Sequence, residues 1–468
     1  MRRAMTGAVE RISIAPPATD WPALAAERFA SISEPARRFR AALALPTDRP
    51  VIMSGHQAEW WHMGVLAKFV ALDHAAADGR VAPAWLVPDQ DEAGFASLRV
   101  PVRDPQGLLR AGEVAITTES PEGVPGASCP AFVARAEWPV GATPALESVR
   151  AGVERTVTAL NAHRTEPPGA GGWGGVPQVI AALKDLIAPA GATTPVVYAS
   201  RLHRTEGFRL LIDRLRADPR AAAVAYNRAA VSFPDAGVAP LAIDDRRVEL
   251  PLWTLAPGVP RRRVFSDALA QASPASLAPR ALLLTGIVRA WACDLFVHGT
   301  GGASYDRITE RWFAQWLGLT LAPMATATAD AYLPFDLPRV TARDAARAAW
   351  EAHAARHNPA LFAGAPDIPE EKHRLVARIE AAPRRSEARL AGYRALHGAL
   401  DLHRARAADR LASLVERAAR LRTALEEQGV ARDRAWAFVL HAPDTIAELG
   451  RMIAPGAVRH AAGLPMNG

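Results

Sequence analysis

The stretch Val51-Ile52-Met53-Ser54-Gly55-His56-Gln57 decides the fold class of this chain. Its first four residues are an apolar run typical of a buried strand, and Gly55-His56-Gln57 predicts a sharp turn into a helix over 60–77. In an open α/β sheet, ligands bind beyond the carboxyl ends of the strands, where the N–H groups at the start of the next helix also point. We therefore expect function at the residues that follow this strand.

Further along the chain, strand-like runs and helical runs alternate. Strands are predicted at 83–87, 195–198 and 294–297, each followed by polar or glycine-rich residues and then by a helical pattern. This alternation favours a parallel, doubly wound sheet. We predict an α/β protein with a Rossmann-like core at 1–340, interrupted by irregular insertions near 102–145 and 219–280.

From Thr341 onward the pattern becomes helical. A helix is predicted at 341–357, followed by a long helical stretch at 369–428 that Pro383 kinks or divides. Leu390, Leu411 and Leu425 fall on one heptad position, which indicates an antiparallel hairpin or a dimer seam. We predict a coiled-coil arm at 341–430, a homodimer formed through it, and a C-terminal helical segment at 431–468 that packs back on the core.

Composition bounds the class of protein. The chain has 468 residues, half of them apolar, and a formal charge of +7 from 55 basic and 48 acidic residues. Lysine occurs only at Lys68, Lys184 and Lys372, a skew typical of a GC-rich genome, so the basic balance is weak support for nucleic-acid binding. Attraction of an anionic substrate is the functional alternative.

Two cysteines, Cys129 and Cys293, exclude a disulfide framework and a multi-cysteine zinc site. No signal-peptide pattern and no apolar run of about 20 residues is present, which predicts a cytoplasmic protein that does not span a membrane.

His56 and Gln57 offer an acid or base and an amide after the first strand. A histidine at a helix N-terminus stays neutral more readily, because the helix dipole disfavours its charged form. A neutral imidazole could donate to a phosphate or to a developing oxyanion. The alternative is that His56 only ties the turn to a neighbouring carbonyl.

Asp89 and Asp91 flank Gln90 after the second strand. Alternate residues of an extended chain point to the same side, so the two carboxylates could converge on a metal, a ribose or an amine. Alternatively, one caps a helix and the other is a solvated loop residue.

Two further strand ends carry candidate binding residues. Gly299-Thr300-Gly301-Gly302 lies after His298 and before Tyr305, and a glycine-rich turn of this kind exposes N–H groups that suit an anion. It lacks the lysine of a Walker A loop, and tight packing is an equal explanation. Arg201 follows the strand at 195–198 and could bind a carboxylate or simply be solvated.

These motifs, in this order, resemble the family of the cysteine-adding enzyme of bacillithiol biosynthesis, often called BshC. The likeness is carried by Ser54-Gly55-His56-Gln57, by Asp89-Gln90-Asp91, by Gly299-Thr300-Gly301-Gly302 with Tyr305, and by the C-terminal run that ends at Arg432-to-Phe438. The resemblance spans about 45–455. It departs from the family at Gln90, where the family has a histidine, and at His56, where the family has an amide.

The resemblance implies a ligase-like enzyme that joins cysteine or a related amino acid to an amino-sugar conjugate. Carboxyl activation makes ATP or another nucleotide a plausible cofactor. His56, Asp89 and Asp91 would be catalytic, while Gly55, Gln57, Gln90, His298, the 299–302 turn, Tyr305 and Arg201 would bind substrate or nucleotide. The alternatives are a non-catalytic nucleotide- or sugar-binding protein on the same fold, favoured by Gln90, and a coiled-coil interaction protein.

Overall fold

A computed structural model describes residues 8–92, 94–118, 123–164, 174–358 and 368–454. The end of the predicted C-terminal segment, residues 455–468, lies outside the described residues, as do residues 119–122 of the first predicted insertion. The chain divides into two compact units, one formed by residues 1–107, 111–334 and 433–468, the other by residues 108–110 and 335–432.

Strands and helices alternate through the larger unit. The strands are β1 (Val9–Ala15), β2 (Val51–Gly55), β3 (Ala82–Val87), β4 (Ser97–Arg103), β5 (Leu109–Ala115), β6 (Thr143–Pro144), β7 (Val196–Tyr198), β8 (Glu249–Thr254), β9 (Arg262–Phe265), β10 (Leu277–Pro279), β11 (Leu295–His298) and β12 (Met324–Ala331).

The α-helices of both units follow in chain order. They are α1 (Trp21–Phe29), α2 (Glu34–Ala42), α3 (Met63–Ala75), α4 (Glu147–Ala162), α5 (Gly175–Ile187), α6 (Glu206–Ala217), α7 (Pro219–Val231), α8 (Ser266–Leu269), α9 (Ala281–Ile287), α10 (Thr300–Leu317), α11 (Ala342–His357), α12 (Ile368–Ala381), α13 (Glu387–Arg406), α14 (Ala408–Ala431) and α15 (Pro443–Ile453).

A six-stranded sheet in the order β1-β12-β11-β2-β3-β7 forms the centre of the larger unit. The neighbours from β12 to β7 pair in parallel, and β1 pairs antiparallel with β12. The prediction of a mixed α/β protein with a mostly parallel sheet and C-terminal helices is therefore confirmed.

The chain leaves β2 and β11 in opposite directions across this sheet. From β2 it crosses to β3 through α3, whereas from β11 it crosses to β12 through α10. Right-handed crossovers of opposite direction place their helices on opposite faces. Accordingly, Met53 packs in one core cluster with Phe313 of α10, while Trp85 packs against Phe69 of α3, with ring centroids 5.1 Å apart. A crevice opens at such a switch point, beyond the carboxyl ends of β2 and β11.

One of the two predicted irregular insertions is more regular than expected. Residues 219–280 begin with α7 and continue into a three-stranded sheet in the order β10-β8-β9. Asp218 caps α7 by accepting from Ala221 N at 2.8 Å, Pro219 occupies the first turn, and the helix is rich in alanine. These are ordinary helix signals that the label "irregular" overlooked.

The smaller unit does not contain the continuous heptad seam that was predicted. The helical stretch ends at Ala381 and resumes at Glu387, so Pro383 divides it as predicted, but it breaks again at Ala407, within the predicted 390–425 seam. Leu414 of α14 is buried with Ala352 and Ala355 of α11, and Gly392 of α13 lies close to Ile379 of α12. Leu390, predicted to face the seam, is half exposed. The heptad register therefore crosses a helix boundary, and the packing uses other helix pairs.

None of the described helices combines the length and apolar character needed to cross a bilayer.

Candidate functional site at the β2–β11 crevice

A cavity of about 460 Å³ opens where β2 and β11 end. From the predicted site it gathers Gly55, His56, Gln57, His298, Gly299, Thr300, Gly301, Gly302 and Tyr305. From residues that were not predicted it adds, among others, His62, Lys68, Thr328 and Arg434. Two motifs far apart in sequence thus line one cavity, because their strands are neighbours in the sheet.

Backbone atoms of the turn after β2 form hydrogen bonds to neighbouring elements. His56 N donates to Leu86 O at 3.1 Å, and His56 O accepts from Trp85 Nε1 at 3.2 Å. Gln57 O accepts from Trp61 Nε1 at 2.9 Å. These hydrogen bonds to β3 and to the segment just before α3 position the His56 side chain at the cavity.

The structure places His56 well before the helix that it was expected to open. The first helical residue is Met63, and His62 is its N-cap, with Nδ1 accepting from Gly64 N at 3.0 Å. The pKa of His56 is lowered well below its usual value, first by burial and then by the nearby charges of Lys68 and His62. His56 is therefore neutral, as predicted, but the helix dipole is not the reason.

Lys68 is the functional candidate that sequence reasoning missed. It lies on α3, is only 5% exposed, and donates from Nζ to Gly55 O at 2.8 Å. Burial lowers its pKa to about 7, against the opposing effect of Glu59. A signal was present, because Lys68 is one of three lysines in an arginine-rich chain and interrupts the otherwise apolar run at 65–72.

Arg434 and His62 supply further basic groups. Arg434 Nη2 donates to Thr328 Oγ1 at 3.1 Å, and its Nε lies 2.9 Å from Asp330 Oδ1. The pKa of His62 is lowered by burial and then by the charges of Arg434 and Lys68. The charges of nearby cations thus lower the pKa values of both His56 and His62, and a bound anion would offset this repulsion.

On the opposite side of the cavity, the glycine-rich segment is not a separate turn. Gly299 is the N-cap of α10, and Thr300, Gly301 and Gly302 form its first turn, which no side chain caps among the described residues. The first N–H groups of a helix have no intrahelical acceptor and carry the positive end of the helix dipole. Apart from chain neighbours and the backbone of the helix itself, no atom of the described residues lies within 4 Å of the Cβ position of Gly299 or Gly301, so a ligand can approach the backbone there.

The acidic motif does not line this cavity, and the expectation that Asp89 shares a cleft with His56 is wrong. Asp89 is buried and accepts from Ser200 N at 2.8 Å and from Ser200 Oγ at 2.5 Å. Burial raises its pKa, although the bonds from Ser200 oppose the shift. Asp89 therefore ties β3 to the segment after β7.

Gln90 and Asp91 also have internal partners. Gln90 Nε2 donates to Pro279 O at 2.7 Å, whereas Asp91 accepts from Gln57 Nε2 at 3.1 Å and pairs with Arg261. The two aspartates were expected to converge as alternate residues of a strand. Instead the chain turns, with Asp91 N donating to Pro88 O at 3.1 Å, so the strand rule no longer applies.

Arg201 lies outside the cavity as well. It is exposed, and its guanidinium stacks over the Tyr198 ring at 5.5 Å from the centroid. Among the described residues, no group of three or more histidines, cysteines or acids is arranged to hold a metal ion.

Comparison with known proteins adds no assignment. The chain matches no protein-family model, and no curated protein matches it significantly.

Proposed function

We propose that this protein is a ligase-like enzyme whose β2–β11 cavity binds an anionic small molecule. The observation that carries the proposal is the composition of the cavity, because Lys68, Arg434, His56 and His62 line it together with the uncapped first turn of α10. Side-chain cations and helix N–H groups together bind phosphate or carboxylate.

The pKa directions support an anion as the ligand. Lys68 has a pKa of about 7 without a ligand, and a bound anion would favour its charged form. Ligand binding and proton uptake by Lys68 are therefore linked. The cavity volume of about 460 Å³ suits a small molecule rather than a macromolecule.

The resemblance to the BshC family suggests which reaction uses this anion site. In our proposal, cysteine or a related amino acid is joined to an amino-sugar conjugate, with a Rossmann-like core holding the reactants. The cavity would hold the carboxylate of the conjugate or the phosphate of an activated carboxyl. ATP or another nucleotide would supply the activation.

A non-catalytic nucleotide- or sugar-binding protein is the second candidate. It is favoured because Asp89 and Asp91, two of the three groups first assigned to catalysis, are occupied by Ser200, Gln57 and Arg261. An anion would bind to such a protein in the same cavity, but no product would form.

The test has a binding arm and a turnover arm. Inorganic phosphate and malate should raise the melting temperature of the wild type, and calorimetry in buffers of different ionisation enthalpy should show proton uptake on binding near pH 7. Lys68→Met should weaken this binding about tenfold or more, whereas Lys184→Met, a lysine outside the cavity, should leave it unchanged. Equal binding by the wild type and Lys68→Met would refute the anion site.

For turnover, the protein is incubated with cysteine and a glucosamine–malate conjugate, with and without ATP, and the amide is sought by mass spectrometry. Product that disappears in Lys68→Met but persists in Lys184→Met supports the ligase. Anion binding without product over a range of amino acids and amino sugars supports the binding protein instead.

A further inference from the structure

His298 is an imidazole at the cavity wall that is held from behind by a buried carboxylate. Its Nε2 lies 2.8 Å from Asp306 Oδ2, and both side chains are almost entirely buried. His298 ends β11 and Asp306 lies in the second turn of α10, so the pair joins the two elements that form one side of the cavity.

Asp306 is kept ionised by its other neighbours. Arg289 Nη1 donates to Asp306 Oδ2 at 2.6 Å, and Thr285 Oγ1 donates to Oδ1 at 2.9 Å. Burial opposes ionisation, but the hydrogen bond from His298 and the charge of Arg289 hold the pKa of Asp306 well below its usual value.

The ionised carboxylate determines the tautomer of His298. A carboxylate only accepts hydrogen bonds, so Nε2 must carry the proton. In the neutral ring Nδ1 is then the basic nitrogen with a free lone pair. A carboxylate that orients an imidazole in this way also stabilises the imidazolium that forms when Nδ1 takes up a proton.

Gly302 provides the space in front of Nδ1. A Cβ atom at residue 302 would lie 2.5 Å from His298 Nδ1, whereas one at Gly301 would meet, within 4 Å, nothing that the structure describes beyond the adjacent backbone. Gly302 and His298 both line the cavity. The absence of a side chain at 302 therefore leaves the basic edge of the ring open toward the ligand.

We propose that His298 is the general base of this cavity, that Asp306 is its positioning residue, and that the substrate is an amine nucleophile. This rests on the proposed function for the identity of the reaction. As the amine nitrogen bonds to the carbon of an acyl phosphate, the carbon–oxygen bond to phosphate breaks and phosphate leaves with the electron pair. The proton lost by nitrogen passes to Nδ1, and the imidazolium pairs with Asp306.

The first test requires no turnover. In ¹⁵N NMR of the histidine-labelled wild type, with His298 assigned by its loss in His298→Gln, the ring should be protonated at Nε2 and unprotonated at Nδ1. Diethyl pyrocarbonate should then acylate His298 at Nδ1, located by peptide mass mapping, and inorganic phosphate should slow this several-fold. The peptide that contains His163, a surface histidine paired with Asp185 and not among the residues that line the cavity, should react equally with and without phosphate.

Two glycine variants distinguish blocked access of the reagent to His298 from a general effect of an added methyl group on folding. Gly302→Ala should block acylation of His298, while Gly301→Ala should leave it at the wild-type rate. Protonation at Nδ1, or failure of His298 to react while His163 reacts, would overturn the proposal.

In the amide-forming assay, His298→Gln should lower kcat by about 10²- to 10⁴-fold with KM nearly unchanged. Thr285→Val, which removes one bond to Asp306 without unpairing Arg289, should shift the acidic limb of the pH–rate profile. If the acidic limb of the profile does not shift in Thr285→Val, Asp306 is not a positioning residue for His298. If the wild type forms no amide, the proposed function fails, while the NMR and acylation results still decide whether His298 is an available base.

Discussion

Burial of Lys68 destabilises the folded protein by an amount that depends on pH. Its side chain is shielded from water, and its pKa falls from 10.5 to about 7, mainly through burial. Between pH 7 and 10.5 the unfolded chain therefore binds more protons at this position than the folded chain does. Because stability rises with pH wherever the unfolded state holds more protons, the penalty is fully present below pH 7 and disappears toward pH 10.5.

Replacing Lys68 with methionine should remove this dependence. We expect the free energy of unfolding of the wild type to gain on the order of 4 kcal/mol, relative to Lys68→Met, between pH 7 and pH 10. Urea denaturation at the two pH values measures the difference. Lys184→Met, a partly exposed lysine, should run parallel to the wild type, and parallel curves for Lys68→Met would show that Lys68 is not a depressed base.

At the scale of elements, glycine allows a helix and a loop to pack in direct contact. Gly152 of α4 lies against the segment at 438–440, and a Cβ atom there would come within 2.2 Å of Val439 O. Arg155, one turn later, donates to Val439 O at 3.0 Å and to His441 O at 3.1 Å. The segment after the smaller unit is thereby fixed to the larger unit, to which it belongs.

Gly152→Ala should destabilise the protein by about 1–3 kcal/mol, because backbone atoms at the contact must move. Gly398→Ala is the matched control: Gly398 lies inside α13, and outside its own helix backbone no described atom lies within 4 Å of its Cβ position, so the variant should gain about 0.5–1 kcal/mol from helix propensity. Chemical denaturation measures both. A neutral Gly152→Ala would mean that the loop moves away freely.

At the scale of the whole molecule, a second buried base should shape stability on the acid side. His441 is buried, neither ring nitrogen has a partner among the described residues, and burial lowers its pKa to about 4. Between pH 6.5 and 4, His441 is protonated in the unfolded state but stays neutral in the folded state. The free energy of unfolding therefore falls as the pH falls.

We expect His441 to account for about 3 kcal/mol of the stability lost between pH 6.5 and pH 4. His441→Leu keeps the site apolar and should reduce the loss by that amount in thermal or urea denaturation. If both proteins lose stability equally, carboxylate protonation elsewhere governs the acid transition.

The proposed homodimer is also a property of the whole molecule. Several large apolar side chains of the smaller unit are exposed, with Leu402 of α13 at 54%. Light scattering should give twice the chain mass, and Leu402→Glu should shift the protein to monomer without loss of fold. A wild type that is monomeric at micromolar concentration would exclude this dimer.

The linear order of residues determined the mixed α/β class and part of the lining of the β2–β11 cavity. Short apolar runs such as 51–53 and 295–297, separated by helical patterns, favour strands over helices, so local physics predicts the alternation. Strands followed by polar and glycine residues then point to one edge of the sheet. The same reasoning predicted that His56, His298 and the 299–302 segment lie close together, and they line one cavity.

Only the tertiary structure decided which strand ends meet and which residues complete the cavity. β2 and β11 are some 240 residues apart in the chain yet adjacent in the sheet, whereas Asp89 turns toward Ser200 because the chain leaves its strand direction at Pro88. Lys68, Arg434 and the pairing of His298 with Asp306 depend on burial and long-range contacts. These contacts set pKa values and orientations, and no local pattern of residue types encodes them.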